Sequence, residues 1–445
     1  MDANVPLMVL EALTALAEPE RLLYLVAGVT CGLVLGVIPG LGGLIGLTLL
    51  LPFTYSMDPI TALAFLMGLS AVSATSDSIP AVLFGVPGTV ASAATVMDGF
   101  PMARKGQAGR ALGAAFTASV IGGVFGSLVL LLLIPVLRPA LLSIAKPEML
   151  AIIIFGISLA AALSGRSPLR GLIVACAGLV LAAVGQSRAG ELRWVFDSLY
   201  LWDGLHIVPV TLGLFALPEI ADMVIQRSSI ARSGTRPNIS FRAQLQGAGD
   251  TFRNWFLVVR CAGIGAGLGA VPGIGATVID WIAYGHAART VKGADETFGK
   301  GDVRGVIASE SSNNAKEGGS LVPTIAFGIP GSASMALILS ALLAQGIVPG
   351  PQMLADRLDV TYTLVWSVAL ANVFAAGACF VFANQFAKVS MIRIGLLGPI
   401  VLTIIFLGAT QGKHAWGDIL TFLAFGALGF MMKRLSWPRP PGRSG

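Results

Sequence analysis

Two ten-residue stretches of this sequence share one pattern, GVIPGLGGLI at residues 36–45 and GAVPGIGATV at residues 269–278. Each places a Gly-x-x-Pro-Gly-x-Gly string inside a long apolar run. Proline removes a backbone donor and clashes with the preceding turn, and glycine weakens a helix by about 1 kcal/mol. Each stretch therefore predicts a hydrophobic helix that is broken in the middle.

The sequence around these stretches is typical of a membrane protein. Hydrophobic residues make up 55% of the 445 residues and charged residues only 12%, about half the charged share of a soluble protein. Apolar runs long enough to cross a bilayer as a helix recur along the chain, for example at 111–137, 204–225 and 361–388. We therefore predict an all-α polytopic membrane protein with roughly 10–12 membrane segments.

The charges of the loops predict an orientation, because short loops rich in Lys and Arg stay in the cytoplasm. Residues 1–20 carry acidic side chains and no basic one, so the N-terminus is predicted to lie outside the cytoplasm. The loops 98–110 and 226–255 and the C-terminal tail are basic and are predicted to be cytoplasmic. The loop 346–360 carries more acid than base and is predicted to lie outside.

A second motif pair indicates an internal repeat. FGVPGTVASA at 84–93 matches FGIPGSASMA at 327–336 with an offset of 330 − 87 = 243, and the broken-helix motifs match with an offset of 272 − 39 = 233. Loop 98–110 and its counterpart 346–360 are predicted on opposite sides. This combination predicts an inverted-topology repeat with broken helices or re-entrant hairpins, as in many secondary transporters. The predicted parts are membrane repeat 1 at 20–190, a linking span at 204–225, a cytoplasmic basic loop at 226–255 and membrane repeat 2 at 256–436.

Broken helices at membrane depth predict a binding site, because unpaired backbone groups survive there only inside protein or beside a wet cavity. Half-helix N-termini attract anions, and unwound carbonyl oxygens coordinate Na⁺. We predict substrate contacts at Gly40, Gly42, Ser76, Ser78, Pro87, Gly88, Thr89, Gly273, Asn313, Asn314, Pro330, Gly331 and Ser332. Ion contacts are predicted at Asp77, Asn313, Asn314, Pro39 and Pro272.

Other interpretations of these residues stay open. Small Gly, Ser and Pro residues also allow helices to pack closely without building a site. Asp280 and Glu219 lie within or at the ends of apolar runs. They are candidates for cation ligands, but a role as buried structural partners is favoured for both.

The sequence offers no motif for chemistry of its own. FGKGD at 298–302 lacks the Walker A pattern of an ATPase, and no GxSxG or HExxH string occurs. We predict no catalytic residue, no cofactor and no metal site beyond a coupling Na⁺, so that transport would use an ion gradient. A channel or passive pore for small anions is one alternative, and a membrane-embedded enzyme is a second.

Longer strings resemble a known family, the large membrane subunit (TctA) of tripartite tricarboxylate transporters. They include GVIPGLGGLIGLTLLLPFTYSMDP (36–59), FGKGDVRGVIASESSNNAKEGG (298–319) and LVPTIAFGIPGSASMALILSALLAQGIVPGP (321–351). The resemblance implies a bacterial inner-membrane importer of a small di- or tricarboxylate, coupled to Na⁺ or H⁺. It also implies two partners, a small four-helix membrane subunit and a periplasmic solute-binding protein.

The resemblance extends to single positions. It places the Pro-Gly signatures of the family on 39–40, 87–88, 272–273 and 330–331, and its Glu-x-x-Asn-Asn segment on 310–314. This chain has Thr75, Ser76, Asp77 and Ser78 where family members typically carry Tyr-Gly-Gly-Ser. We therefore predict that Asp77 tunes ion coupling or substrate choice.

Overall fold

The computed structural model describes most of the chain, and the described residues are mainly helical. They are 5–38, 41–143, 168–187, 190–218, 239–272, 276–391, 394–410 and 415–435, with Pro147, Glu148, Leu150, Ala151, Ile154, Phe155, Ser158, Ala221, Ile274, Lys413 and Trp437. The predicted all-α class is confirmed.

The helices occupy both halves of the sequence. In the first half they are α1 (Val5–Leu16), α2 (Pro19–Val37), α3 (Gly42–Leu50), α4 (Pro59–Ser76), α5 (Ser78–Phe84), α6 (Ala93–Arg104), α7 (Ala108–Leu142), α8 (Pro168–Ala182) and α9 (Ile207–Thr211). In the second half they are α10 (Phe241–Arg253), α11 (Trp255–Gly269), α12 (Ala276–Thr290), α13 (Ala294–Thr297), α14 (Val303–Phe327), α15 (Ala333–Ala344), α16 (Pro351–Asp356), α17 (Leu358–Val389), α18 (Ile394–Ala409) and α19 (Trp416–Arg434). A short hairpin pairs β1 (Gly185–Gln186) with β2 (Leu192–Arg193).

Several helices have the length and composition of membrane spans. Among the described residues, four helical stretches are long and apolar enough to cross a bilayer: Pro19–Val37, Pro59–Phe84, Ala108–Leu142 and Leu358–Val389. On α7, the large side chains Val124, Leu128, Leu132 and Val136 follow one another at four-residue spacing and are all exposed. Such a stripe would be a large apolar patch in water and fits contact with lipid tails.

The segment predicted as the loop 226–255 differs from that prediction, since its last part forms the amphipathic helix α10. This helix buries Gln244, Gly247 and Thr251 at spacings of three and four residues. It packs against α7, and Asp250 on α10 accepts a 2.6 Å hydrogen bond from Arg110 on α7. The arginines of the segment gave the loop prediction, whereas the amphipathic pattern of Phe241–Arg253 is the local signal that indicates a helix.

The described chain forms two compact units that do not follow the halves of the sequence. One unit takes Met1–Gly46, Met57–Lys146 and Ser229–Arg393. The other takes Leu47–Ser56, Pro147–Ser228 and Ile394–Gly445. The first unit contains both motif pairs, and the site described below lies entirely within it. The repeat boundaries stay a prediction.

Close helix packing in the first unit depends on glycine. Helix α2 packs on α4, and α11 packs on α14, in each case with glycine at four-residue spacing against the main chain of the other helix. The glycines are Gly28, Gly32 and Gly36 on α2, and Gly265 and Gly269 on α11. This small-residue packing is common between helices in membranes, because it brings backbones into van der Waals contact.

Candidate substrate and ion site

The first break lies beside the end of α4. Residues 38–41 separate α2 from α3, and α3 begins at Gly42, whose φ of +55° favours glycine. A β-carbon added at Gly36 would lie only 2.5 Å from the carbonyl oxygen of Ser73. The predicted interruption of the helix is therefore present, and glycine holds it tightly against α4.

The second break lies in the same way beside α14. Residues 270–275 separate α11 from α12, and Pro272 lies in this turn. A β-carbon at Gly269 would lie 2.7 Å from the carbonyl oxygen of Lys316. Positions 36 and 269 differ by 233 and positions 73 and 316 by 243, the two offsets of the sequence motifs. The two breaks thus make equivalent contacts.

The second motif pair also folds alike in its two copies. Helices α5 and α14 both end at a left-handed glycine, Gly85 with φ +68° and Gly328 with φ +66°. A non-helical segment with Pro-Gly follows each glycine, and a hydroxyl then caps the next helical turn. Thr89 accepts from Ala91 N at 3.3 Å, and Ser332 accepts from Met335 N at 3.2 Å. The hydroxyl groups of these two predicted substrate residues therefore have a capping role.

Helices α4 and α14 meet through the two asparagines singled out in the sequence. Asn313 Nδ2 donates to Ala74 O at 3.3 Å, and Asn314 Nδ2 donates to Thr75 Oγ1 at 2.7 Å. Asn314 Nδ2 also lies 2.6 Å from Oδ1 of Asn372 on α17. Both asparagine side chains are buried. The crossing thus joins a helix of each sequence half through neutral polar groups.

Carboxyl groups surround this crossing. Asp77 is fully buried and accepts the Thr89 hydroxyl on Oδ2, while its Oδ1 has no partner among the described residues. Glu310 is also fully buried, and its two oxygens accept from Thr95 at 2.6 Å and Ser119 at 3.0 Å. Buried carboxyl groups are costly unless protons, cations or hydrogen bonds compensate them.

A third acid and an ion pair complete the polar core. Asp280 on α12 is fully buried, accepts from Ser312 at 3.0 Å on Oδ1 and has no described partner on Oδ2. Lys316 donates to Asn313 O at 2.7 Å and also to Asn313 Oδ1, and it lies 3.8 Å from Glu317 Oε1. We call Asp77, Asp280, Glu310, Asn313, Asn314, Lys316 and Glu317 the polar core.

Some of the predicted site residues belong to the polar core, and others lie next to it. Asn313, Asn314 and Asp77 are members. The hydroxyls of Ser76 and Ser78 donate to main-chain oxygens three residues earlier, at 3.5 Å to Ser73 O and 2.7 Å to Thr75 O. Four glycine and proline positions lie in the turns beside it, namely Pro87, Gly88, Pro330 and Gly331. Pro39, Gly40, Gly273 and Glu219 lie outside the described residues.

Sequence reasoning missed several members of this site. Lys316 and Glu317 were not singled out, and Asp280 was favoured as a structural group only. One signal was available, because Ser309, Asn313, Lys316 and Ser320 recur at helical spacing inside a membrane-length helix. The partners Thr95, Ser119 and Asn372 come from distant parts of the chain, and no local pattern predicts them.

A further buried acid holds together elements next to the polar core. Asp98 on α6 accepts from Gly301 N and Asp302 N on Oδ1, both at 2.8 Å. Its Oδ2 accepts the hydroxyl of Tyr284 on α12 at 2.8 Å. A helix of the first half thereby fixes the loop that leads into α14.

Comparison with known proteins shows the family of the chain. The family model described as the tripartite tricarboxylate transporter TctA family matches residues 22–442 of the chain. The chain belongs to the TctA family. TctA is a family of transporters, so we describe the chain as a multi-pass membrane protein of a tripartite tricarboxylate transport system.

Two proteins from Agrobacterium vitis are similar to this chain. One, "Uncharacterized 52.8 kDa protein in TAR-I ttuC' 3'region", is 30% identical over 95% of this chain and 84% of its own length. The other, "Uncharacterized protein in TAR-II ttuC' 3'region", is 27% identical over 40% of this chain and 73% of its own length. No solved structure matches the chain.

Proposed function

We propose that this chain is the large subunit of a secondary active importer that moves a small organic di- or tricarboxylate together with Na⁺ or H⁺. The observation that carries the proposal is the buried polar core. It lies where α4 and α14 cross, beside both broken helices, and it combines asparagine donors with carboxyl groups. Donors of this kind suit a carboxylate, and free carboxyl oxygens suit a cation.

The charge of the polar core favours ion coupling. It holds four carboxyl groups, Asp77, Asp280, Glu310 and Glu317, and one ammonium group, Lys316. With all of them ionised the sum would be −4 + 1 = −3, which would repel a carboxylate substrate strongly in a medium of low dielectric constant. Cations or protons must therefore enter with the substrate or before it.

The partners and the orientation belong to the same proposal. The chain would work with a small four-helix membrane subunit and a periplasmic solute-binding protein in a bacterial inner membrane. Its N-terminus would be periplasmic and its C-terminus cytoplasmic, with the two halves inverted. The family and the loop charges support this arrangement.

Uptake into proteoliposomes tests the function. The chain, reconstituted with its partner subunits, is expected to accumulate a labelled carboxylate above the outside concentration when an inward Na⁺ or H⁺ gradient is imposed. A channel or passive pore would only equalise the concentrations, so failure to concentrate any of labelled succinate, malate or citrate would favour that alternative. A membrane enzyme would instead convert the compound.

A variant at Asp77 tests the coupling. Asp77→Asn is expected to change the dependence of uptake on Na⁺ or on pH, because it removes an ionisable group whose Oδ1 has no partner among the described residues. Asp359→Asn is the matched control, since Asp359 is an exposed acid at the start of α17. Unchanged Na⁺ and pH dependence in Asp77→Asn would contradict a role of Asp77 in coupling.

A further inference from the structure

Two pairs of equivalent positions in the two halves differ in charge. The offset of 243 that relates the second motif pair places Ser73 on Lys316 and Asp77 on Ser320. The charged residue in the first half is the acid Asp77, and the charged residue in the second half is the base Lys316. Lys316 lies on α14 and Asp77 directly follows the last residue of α4, and these two helices cross at the polar core.

Packing confirms that these positions are equivalent in space as well as in sequence. Gly36 lies against the main chain of Ser73, and Gly269 lies against the main chain of Lys316. At the following turn, a β-carbon at Gly88 would lie 2.7 Å from Asp77 Cα, and one at Gly331 would lie 2.8 Å from Ser320 Cα. In each half, the glycine before the break and the glycine of the following Pro-Gly turn therefore face equivalent helix positions, with different chemistry. A β-carbon at Gly88 would also lie 2.7 Å from the carbonyl oxygen of Gly36, which brings Asp77 close to the first break.

The base beside the second break is suited to an anion. Among the described residues, Lys316 is the only lysine or arginine that is buried, with 6% of its surface exposed. Its ammonium group donates to the neutral oxygens of Asn313 and lies 3.8 Å from a Glu317 oxygen. A substrate carboxylate is a better acceptor than an amide or carbonyl oxygen, so it would replace Asn313 as the partner of Lys316.

The acid beside the first break is suited to a cation. Asp77 is completely buried, and its Oδ1 has no partner among the described residues. The other oxygen accepts the Thr89 hydroxyl, which fixes the direction of the carboxyl group. No group of three His, Cys, Asp or Glu side chains in the described chain forms a metal cage. A sodium ion at Asp77 would thus depend on hydroxyl and main-chain oxygens, while a proton would need only the free oxygen.

We infer that the substrate and the coupling cation bind at different breaks. A carboxylate group of the substrate binds at the second break, on the Lys316 ammonium group and the Asn313 amide. The coupling cation binds at the first break, on Asp77. This division deepens the proposed function and rests on it, because it assigns the two ligands of a symporter to separate residues.

The test compares two apparent affinities in proteoliposomes that contain the full chain and its partner subunits. The probe is labelled succinate, malate or citrate, whichever the unaltered protein concentrates. The KM for the carboxylate is measured at saturating cation, and the cation concentration for half-maximal uptake is measured at saturating carboxylate. The variants are Lys316→Gln and Asp77→Asn, with Lys300→Gln as a control at an exposed lysine.

The inference predicts a split between the two variants. Lys316→Gln should raise the KM by about 10- to 100-fold, the effect of losing a hydrogen bond between charged groups, and should leave the cation dependence within about threefold. Asp77→Asn should do the reverse. Lys316→Arg, which keeps the charge, should recover most of the affinity. Lys300→Gln should change neither value.

Two results would overturn the inference while the proposed function stands. One is an unchanged KM in Lys316→Gln, and the other is an equal change of both values in both variants. If Lys316→Gln does not fold, the double variant Lys316→Gln/Glu317→Gln removes the whole ion pair and is measured in its place. Failure of the unaltered protein to concentrate any probe would instead overturn the proposed function.

Discussion

The contact between Gly269 and α14 leads to a sharp test of the packing beside the second break. Gly269→Ala would place a β-carbon 2.7 Å from the carbonyl oxygen of Lys316, about 0.7 Å closer than the 3.4 Å of ordinary contact. The obstructing atom belongs to the backbone, so no side chain can rotate away. The helices α11 and α14 must separate to accept the methyl group.

The chain supplies a matched control on the same helix. Gly267 is exposed, and nothing lies within 4 Å of a β-carbon built there. Overpacking at Gly269 costs about 1–3 kcal/mol, whereas alanine at Gly267 gains up to about 1 kcal/mol of helix propensity. The two variants should therefore differ by about 1–4 kcal/mol in their free energy of unfolding.

Thermal melting of the detergent-solubilised variants measures this difference. Gly269→Ala should melt several degrees below Gly267→Ala, since 1 kcal/mol corresponds to about 2–4 °C in domains of 150–250 residues. Uptake should also fall in Gly269→Ala and persist in Gly267→Ala, because the shift displaces Lys316. Equal melting temperatures would refute the close approach of the helices at the second break.

Three other predictions follow from single contacts. Asn372→Ala removes the 2.6 Å partner of Asn314, and thermal melting should show a loss of about 0.6–2 kcal/mol; an unchanged melting temperature would contradict the contact. Asp98→Asn and Tyr284→Phe break the same hydrogen bond, so a double-mutant cycle should give a coupling of at least about 0.5 kcal/mol, and simple additivity would contradict it. Burial would raise the pKa of Asp302, but hydrogen bonds from Arg304 and Thr297 hold it below its ordinary 3.8. The contribution of Asp302 to stability is therefore present above about pH 4 and lost as the pH falls through the lower folded-state pKa; melting curves from pH 7 to pH 3 should show this acid loss weakened in Arg304→Gln.

The sequence predicted the local structure of this protein well. Helix breaks at 36–45 and 269–278 follow directly from the geometry of proline and glycine, and the paired hairpin motifs do fold alike. Each of these features depends on residues that are close in the chain.

The polar core itself was harder to predict, because its contacts are distant in the chain. Glu310 accepts hydrogen bonds from Thr95, which lies 215 residues earlier in the chain, and from Ser119, which lies 191 residues earlier. The role of Lys316 depends on the approach of Gly269, which is set by packing rather than by any motif. Helix α10 is a different case, because its amphipathic pattern is local and only its packing partner α7 is distant in the chain.

The account depends most on one site that both broken helices border. An experimental structure of the protein with Na⁺ and a bromine-labelled carboxylate, such as bromosuccinate, would locate the bound substrate directly. We expect the carboxylate beside Asn313 and Lys316, between the breaks at 36–42 and 269–276. A carboxylate bound elsewhere, with the α4–α14 crossing unchanged and empty, would contradict the account.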